Sequence, residues 1–267
     1  MRRLSVLTIL CAALALPGCL RPTDKTAPVD SLVRAGLHET LSPAGRTLEM
    51  PAATEKEYRC SNFTLLYRLT RLGEHVAIAF DGVSVPDICL TALGPARCRI
   101  PLGPTAEGAF PLTLNVEGMV REGQLVVTAS TLELRGFDGG PVTIPRPLLR
   151  RVPPATIWGL VGWGPEDQSD KAKAFLDSLG VVGAQPVTLA AGDYDYFQVA
   201  EDGTVKMATQ GGYYFSKAFA FHFEGDRAAL PGVVSAFGAP LWIAVYDDLG
   251  NGWFNWATPA TGPVARR

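Results

Sequence analysis

The sequence predicts two folded units in series: an all-β sandwich over residues 58–150, then an α+β unit over residues 151–267 with an antiparallel sheet and two helices. Three observations carry this. Short runs of alternating apolar and polar residues, punctuated by Gly and Pro, fill the first span, as in Phe110-Pro-Leu112-Thr-Leu114-Asn-Val116. In the second span, two stretches of helical periodicity interrupt the extended runs. Between the spans lies Pro145-Arg-Pro-Leu-Leu-Arg-Arg-Val-Pro-Pro154, which reads as a stiff, basic linker.

The chain begins Met1-Arg2-Arg3, and residues 4–16 are mostly apolar. That stretch is shorter than the roughly 20 residues needed to cross a bilayer. A charged start, an apolar middle and a small-residue end give it the layout of a secretory leader. Leu16-Pro17-Gly18-Cys19 resembles the lipobox of bacterial lipoproteins, with Pro17 in place of the usual small residue. The resemblance implies that residues 1–18 are a signal peptide, that the Cys19 thiol receives a diacylglycerol, and that Cys19 becomes the first mature residue. The implied partner is a membrane, since each buried methylene contributes about 0.8 kcal/mol and stable attachment takes two chains or more. In that family an Asp after the cysteine implies inner-membrane retention, so Leu20 implies the outer membrane. A cut after Ala13-Leu-Ala15, leaving Cys19 unmodified, is the ordinary secretory alternative. Residues 19–57 read as a lipid-anchored tether. They open with the Pro-, Thr- and charge-rich Arg21-Pro-Thr-Asp-Lys-Thr-Ala-Pro28, and residues 30–40 carry a weak helical spacing.

In the β unit, residues 62–70, 75–80, 88–91, 97–102, 110–116 and 124–134 read as extended, and Glu122-Gly123 reads as a hairpin turn. Glu107-Gly-Ala-Phe110-Pro-Leu112 resembles the turn into a late strand of immunoglobulin-like domains, with Phe110 where a Tyr is usual. Phe cannot make that corner's hydroxyl hydrogen bond, so the resemblance implies a generic sandwich. Such a fold says little about activity.

Of the five cysteines, Cys11 lies in the leader and Cys19 at the lipobox, which leaves Cys60, Cys89 and Cys98. An odd number in an oxidising compartment implies one bridge and one spare thiol. Gly94-Pro95 reads as a turn, so the expected pair is Cys89 with Cys98, with Cys60 buried and free. Pairing of Cys60 with either of the others, closing a longer loop, is the alternative. No CxxC spacing supports a zinc or thioredoxin-like reading.

The second unit opens with 156–163 as a buried strand. A helix follows from Pro165 to Leu179, with Ala172, Phe175, Leu176 and Leu179 on one face and Gly180 as its stop. Residues 194–199 and 204–208 form a hairpin around Asp202-Gly203, and 213–223 is extended. A second helix, 226–237, starts at Asp226 and ends before Gly238. Residues 241–246 and 253–256 make the last hairpin around Gly250-Asn-Gly252.

With 24 basic and 26 acidic residues the chain carries no basic stripe, and losing the leader would take the mature chain to about −4, which disfavours nucleic acid. Gly159 to Gly164 fails as a GxGxxG phosphate loop, because Asp167 stands where the last Gly belongs and Glu166 and Asp167 would repel a phosphate. His38, His75 and His222 are far apart, no HExxH or GxSxG occurs, and Asp247-Asp-Leu-Gly-Asn251 lacks the alternating ligands of a calcium loop. No cofactor or metal is expected. The strongest hint is aromatic density: 15 of 24 aromatic residues fall between Tyr194 and Trp256. Tyr194, Tyr196, Tyr214, Trp242, Tyr246, Trp253 and Trp256 are the candidate ligand contacts, for an envelope protein or a glycan, against the alternative that a helix-covered sheet buries most of them. The reading is an anchored, non-enzymatic binding or docking lipoprotein. Its rivals are an envelope hydrolase or carbohydrate-active enzyme, using carboxylates near Tyr194 or Tyr246, and a small-ligand carrier with a pocket between the units.

Overall fold

The computed structural model describes residues 26–104, 106–207 and 213–256. Residues 1–18, read as a signal peptide, Cys19 and residues 20–25 lie outside this range. Of the described residues, 52% lie in strands and 10% are helical.

The first unit is one large, curled, mixed sheet. Its strands are β1 (Thr26–Ala27), β2 (Val33–Ala35), β3 (His38–Ser42), β4 (Gly45–Tyr58), β5 (Thr64–Leu72), β6 (His75–Ser84), β7 (Gly94–Gly103), β8 (Gly108–Val116), β9 (Met119–Val127), β10 (Thr131–Arg135), β11 (Val142–Thr143) and β12 (Leu148–Arg150). The order is β11-β2-β4-β7-β5-β6-β8-β9-β10-β12, with β1 added to β6 and β3 to β4. Most neighbours are antiparallel, but β2 and β11, β5 and β7, and β6 and β8 run parallel. Alternation does the sorting: β8 buries Leu112, Leu114 and Val116 and turns the residues between them outward. These side chains join Met50, Leu65, Ile78, Phe80 and Ile100 in a single core.

Several expectations need correcting. Residues 26–57, read as a tether, are β1 to β4. The weak helical spacing at 30–40 instead covers β2 and β3, where Val33, Ala35 and Leu41 alternate into cores. Glu122-Gly123 lies inside β9, and the hairpin turns at Glu117-Gly118, both with positive φ (49° and 84°) as a type I′ turn requires. Residues 88–91 form no strand, and Ile88 and Leu90 are exposed. The basic linker is built in: β12 pairs with β10, Leu149 and Val152 are buried, Arg150 Nε donates to Ala191 O, and Arg146 and Arg151 are engaged as described below.

The disulfide is also different. Cys60 pairs with Cys89, Cα atoms 5.2 Å apart, and Cys98 keeps a free thiol. Gly94-Pro95 opens β7 instead of turning, so Cys98 sits mid-strand opposite Ala52. Meanwhile the 85–93 loop folds over residues 59–62: Ser61 N–H donates to Leu90 O, and Asn62 bonds both Ile88 O and Leu90 N–H. Burial pushes the Cys98 thiol pKa up to about 12.

The second unit follows the expected element order closely. Strand β13 (Thr156–Trp163) leads to α1 (Ser169–Val181), β14 (Ala184–Pro186), β15 (Gly192–Asp193), β16 (Phe197–Val199), β17 (Val205–Met207) and β18 (Phe215–Phe223). A 3₁₀ turn (Arg227–Ala229), α2 (Leu230–Ala236), β19 (Trp242–Asp247) and β20 (Gly252–Phe254) complete it. The main sheet is antiparallel throughout, in the order β14-β18-β13-β19-β20. Its two faces bury different partners. On one, Ile157, Val161, Phe219, Ile243 and Val245 pack under Phe175 and Leu179 of α1 and Leu230 and Val234 of α2. On the other, Trp158 and Leu160 pack on the small β15-β16-β17 sheet and on Leu41 of the first unit. No described helix is long and apolar enough to cross a membrane.

Candidate functional site

The candidate aromatics divide between the two ends of the second unit's main sheet. At the end formed by Thr156, His222 and Asp247 they are core. Trp158 is fully buried and lies 5.5 Å from Tyr196, 5.6 Å from Phe197 and 6.1 Å from Tyr246, between ring centroids. Tyr194 stacks on Phe197 at 4.9 Å and is also buried. Burial raises the pKa of Tyr194, Tyr196 and Tyr246 above the ordinary tyrosine range.

This end is also where the two units join. The Tyr196 hydroxyl donates to Glu39 O at 2.6 Å and accepts from Leu41 N–H at 3.4 Å. His38 Nδ1 and Asp195 Oδ2 are 2.5 Å apart, and Thr40 Oγ1 lies 3.3 Å from His38 Nε2. Arg146 pairs with Asp193 at 3.0 Å, and the buried Glu39 is held by Arg46 at 3.0 Å and Arg151 at 2.7 Å. Gly250 passes so close to β3 that a Cβ there would stand 2.1 Å from Leu41 O. Such a junction fixes orientation, since removing one partner of a buried ion pair costs about 3–5 kcal/mol.

The carboxylate pairs are accounted for in the same way. Asp193 and Asp195 belong to the junction. Asp247 caps its own turn through Leu249 N–H and Asn251 N–H and pairs with Arg227 at 3.0 Å, while Asp248 accepts from Ala155 N–H and Arg227. Asp202 accepts from Thr204 N–H in the β16–β17 turn. Among the described residues, no group of His, Cys, Asp and Glu is placed to hold a metal ion. His222 alternates with Phe221 and Phe223, on the opposite face, and pairs with Glu224 at 3.1 Å.

At the other end of the same strands the aromatics face solvent. Tyr214 is 76% exposed, Phe215 50% and Trp242 40%. Phe215 stacks on Trp163 at 5.9 Å on the helix side. Tyr213 lies 5.5 Å from Trp242 on the other side, its ring seated on Gly162, where a Cβ would come within 2.6 Å of it. Trp253 and Trp256 are half-buried on the far edge, with Trp256 against Phe254 at 5.4 Å. Of the seven candidates, then, Tyr214 and Trp242 are the open ones, Tyr194, Tyr196 and Tyr246 form the closed cluster, Trp253 packs against the helix-side core and Trp256 lies on Phe254. Sequence reasoning passed over Phe215 and Trp163 as contacts; a run of three aromatics, Tyr213-Tyr-Phe215, at a strand start was the available signal.

No protein-family model, curated protein or solved structure matches this chain. The class it defines rests on its own geometry: a curled β unit joined through a buried polar junction to a helix-covered antiparallel sheet with one aromatic end left open.

Proposed function

We propose that the chain is a lipoprotein of the bacterial envelope, anchored through Cys19 to the outer membrane, that binds a glycan or an envelope protein without chemical turnover. The first unit, read as a generic sandwich, serves as the spacer and docking body. The observation that carries this reading is the open aromatic end, Tyr213, Tyr214, Phe215 and Trp242. Exposed aromatics mark contact surfaces, because their rings offer large apolar area with little rotamer entropy to lose; here Trp242 with Tyr213 offers it on one face of the sheet and Phe215 with Trp163 on the other. Two further features support it. The pairs Asp193/Asp195 and Asp247/Asp248 are engaged in turns and ion pairs, which speaks against a hydrolase driven by them. The junction is filled by Trp158 and Tyr196, which speaks for a rigid binding body over a carrier with an inter-unit pocket. The test is a glycan and peptide array probed with the full chain and with Trp242→Ala. Binding that falls at least tenfold in the variant supports the reading, and turnover of a glycan, ester or peptide substrate by the full chain overturns it. Mass spectrometry of the mature N-terminus checks the anchor: diacylglyceryl-Cys19 is expected, and an N-terminus after Ala15 overturns it.

A further inference from the structure

Strand β18 is paired along one side only. Toward β13 it is bonded from Phe215 to His222, but on its outer side β14 meets only Phe221, His222 and Phe223. Phe223 N–H donates to Ala155 O, so odd-numbered residues of β18 direct their backbone groups inward to β13. The even-numbered Ser216 and Ala218 therefore direct N–H and C=O to the outer edge, where no described residue bonds them. The chain has left this edge after Pro186, and β17, which shares a core with Ala218 and Ala220, makes no ladder with β18.

Beside this edge runs a cleft of about 690 Å³ on the helix side of the sheet. It follows one flank of α1 from Ser169 past Lys173 and Asp177 to Gly180, over Trp163 and Phe221. At 1.5 Å per residue that flank is about 17 Å long, which is about five residues of extended chain. Trp163 is nine-tenths buried, lines the cleft, and its indole N–H has no hydrogen-bond partner among the described residues. Lys173 is paired with Asp177 at 2.6 Å; of the remaining lining charges, Asp170 on α1 and Lys217 on the β18 side have no ion-pair partner among the described residues, and Lys217 is the one on the open strand edge.

We infer that the outer edge of β18 and the cleft along α1 take up an extended acidic–apolar peptide segment of a partner protein, which adds to the sheet as a strand. This rests on the binding-module reading and names its partner chemistry. The added strand makes ladder bonds to Ser216 and Ala218. Its side chains opposite Phe215, Lys217 and Phe219 face the cleft, because direct cross-strand neighbours share a face. The matching pattern is apolar, any, acidic, any, apolar: the carboxylate answers Lys217 and the apolar residues rest on Phe215 and on the aromatic floor. The indole N–H of Trp163 supplies a donor for a polar group of the bound segment.

The test is fluorescence anisotropy of the full chain with a labelled peptide containing Val-Thr-Glu-Thr-Ile. Binding is expected. It should fall at least tenfold when the second Thr becomes Pro, which removes a ladder N–H, and equally when the Glu becomes Lys. The Lys217→Glu protein should reverse the preference, favouring the lysine peptide over the glutamate peptide. Binding indifferent to the proline, or a preference unchanged by Lys217→Glu, overturns strand addition. So does a concentration-dependent dimer in sedimentation that excludes the peptide, which would give the edge to a second copy of the chain. If no peptide binds while array binding persists and is lost in Trp242→Ala, strand addition fails and the binding-module reading stands. If nothing binds in either assay, both fail.

Discussion

Strands β13, β18 and β19 each run from one environment to its opposite. At the Thr156 end, Trp158, Tyr196 and Tyr246 are enclosed by the first unit and by the small β15-β16-β17 sheet. At the Trp163 end, Phe215 and Trp242 stand half in water beside Tyr214. The residue types are the same and so is the ladder. The difference lies in what covers them, and on the proposed reading it separates stability from recognition along a single sheet. Aromatics at the closed end contribute burial and hold the two units in one orientation. Aromatics at the open end contribute less to folding and are the proposed contacts.

That contrast can be broken by substitution. Trp158→Ala at the closed end should cost about 3–5 kcal/mol, the range for emptying a buried aromatic site, read as a lowered urea midpoint with the two units unfolding less cooperatively. Tyr196→Phe keeps the ring and removes the hydroxyl that bridges Glu39 O and Leu41 N–H, so a loss of about 1–3 kcal/mol is expected. No change would mean that the junction's polar contacts contribute nothing.

Alkali sharpens the comparison. Burial raises the pKa of Tyr196 and Tyr246 above 10.0 and of Cys98 from 9.0 to about 12. A group that keeps its proton longer when folded stabilises fully below its unfolded pKa. That contribution is lost as pH rises towards the folded value. Stability should therefore decline above about pH 9, and Cys98 should resist alkylation at pH 8 until the chain unfolds. Rapid labelling of the folded chain would contradict the raised pKa of this half-buried thiol. Trp242→Ala is the smallest expected change in stability, within about 0.5 kcal/mol as for exposed sites, while ligand binding falls.

The second unit was legible because its signals are local. The alternation of Phe219, Phe221 and Phe223, the Ala172-Phe175-Leu179 stripe and the stop at Gly238 each act within a few residues, and α1, β18 and α2 formed close to where they were expected, although α1 runs through Gly180, its expected stop, to Val181. The first unit was harder. Val33 and Leu41 fit a weak helical spacing as well as a strand's, and the tertiary sheet chose the strand because β4 offered a ladder to β2 and β3. Glu117-Gly118 went unseen as a turn because Glu rarely takes positive φ. The candidate site was half legible. Sequence placed the aromatics in one span, but could not separate Tyr196 from Trp242.

By itself the sequence determined the β-rich character and the order of elements after residue 155. These depend on neighbours a few residues apart, whose interactions survive in any fold. Only the tertiary structure decided that Cys60 meets Cys89, that Tyr196 reaches back to Glu39 across 157 positions, and that β18 keeps an open edge beside α1. Those outcomes depend on sheet order and on which face is covered, and no local pattern of side chains carries that information.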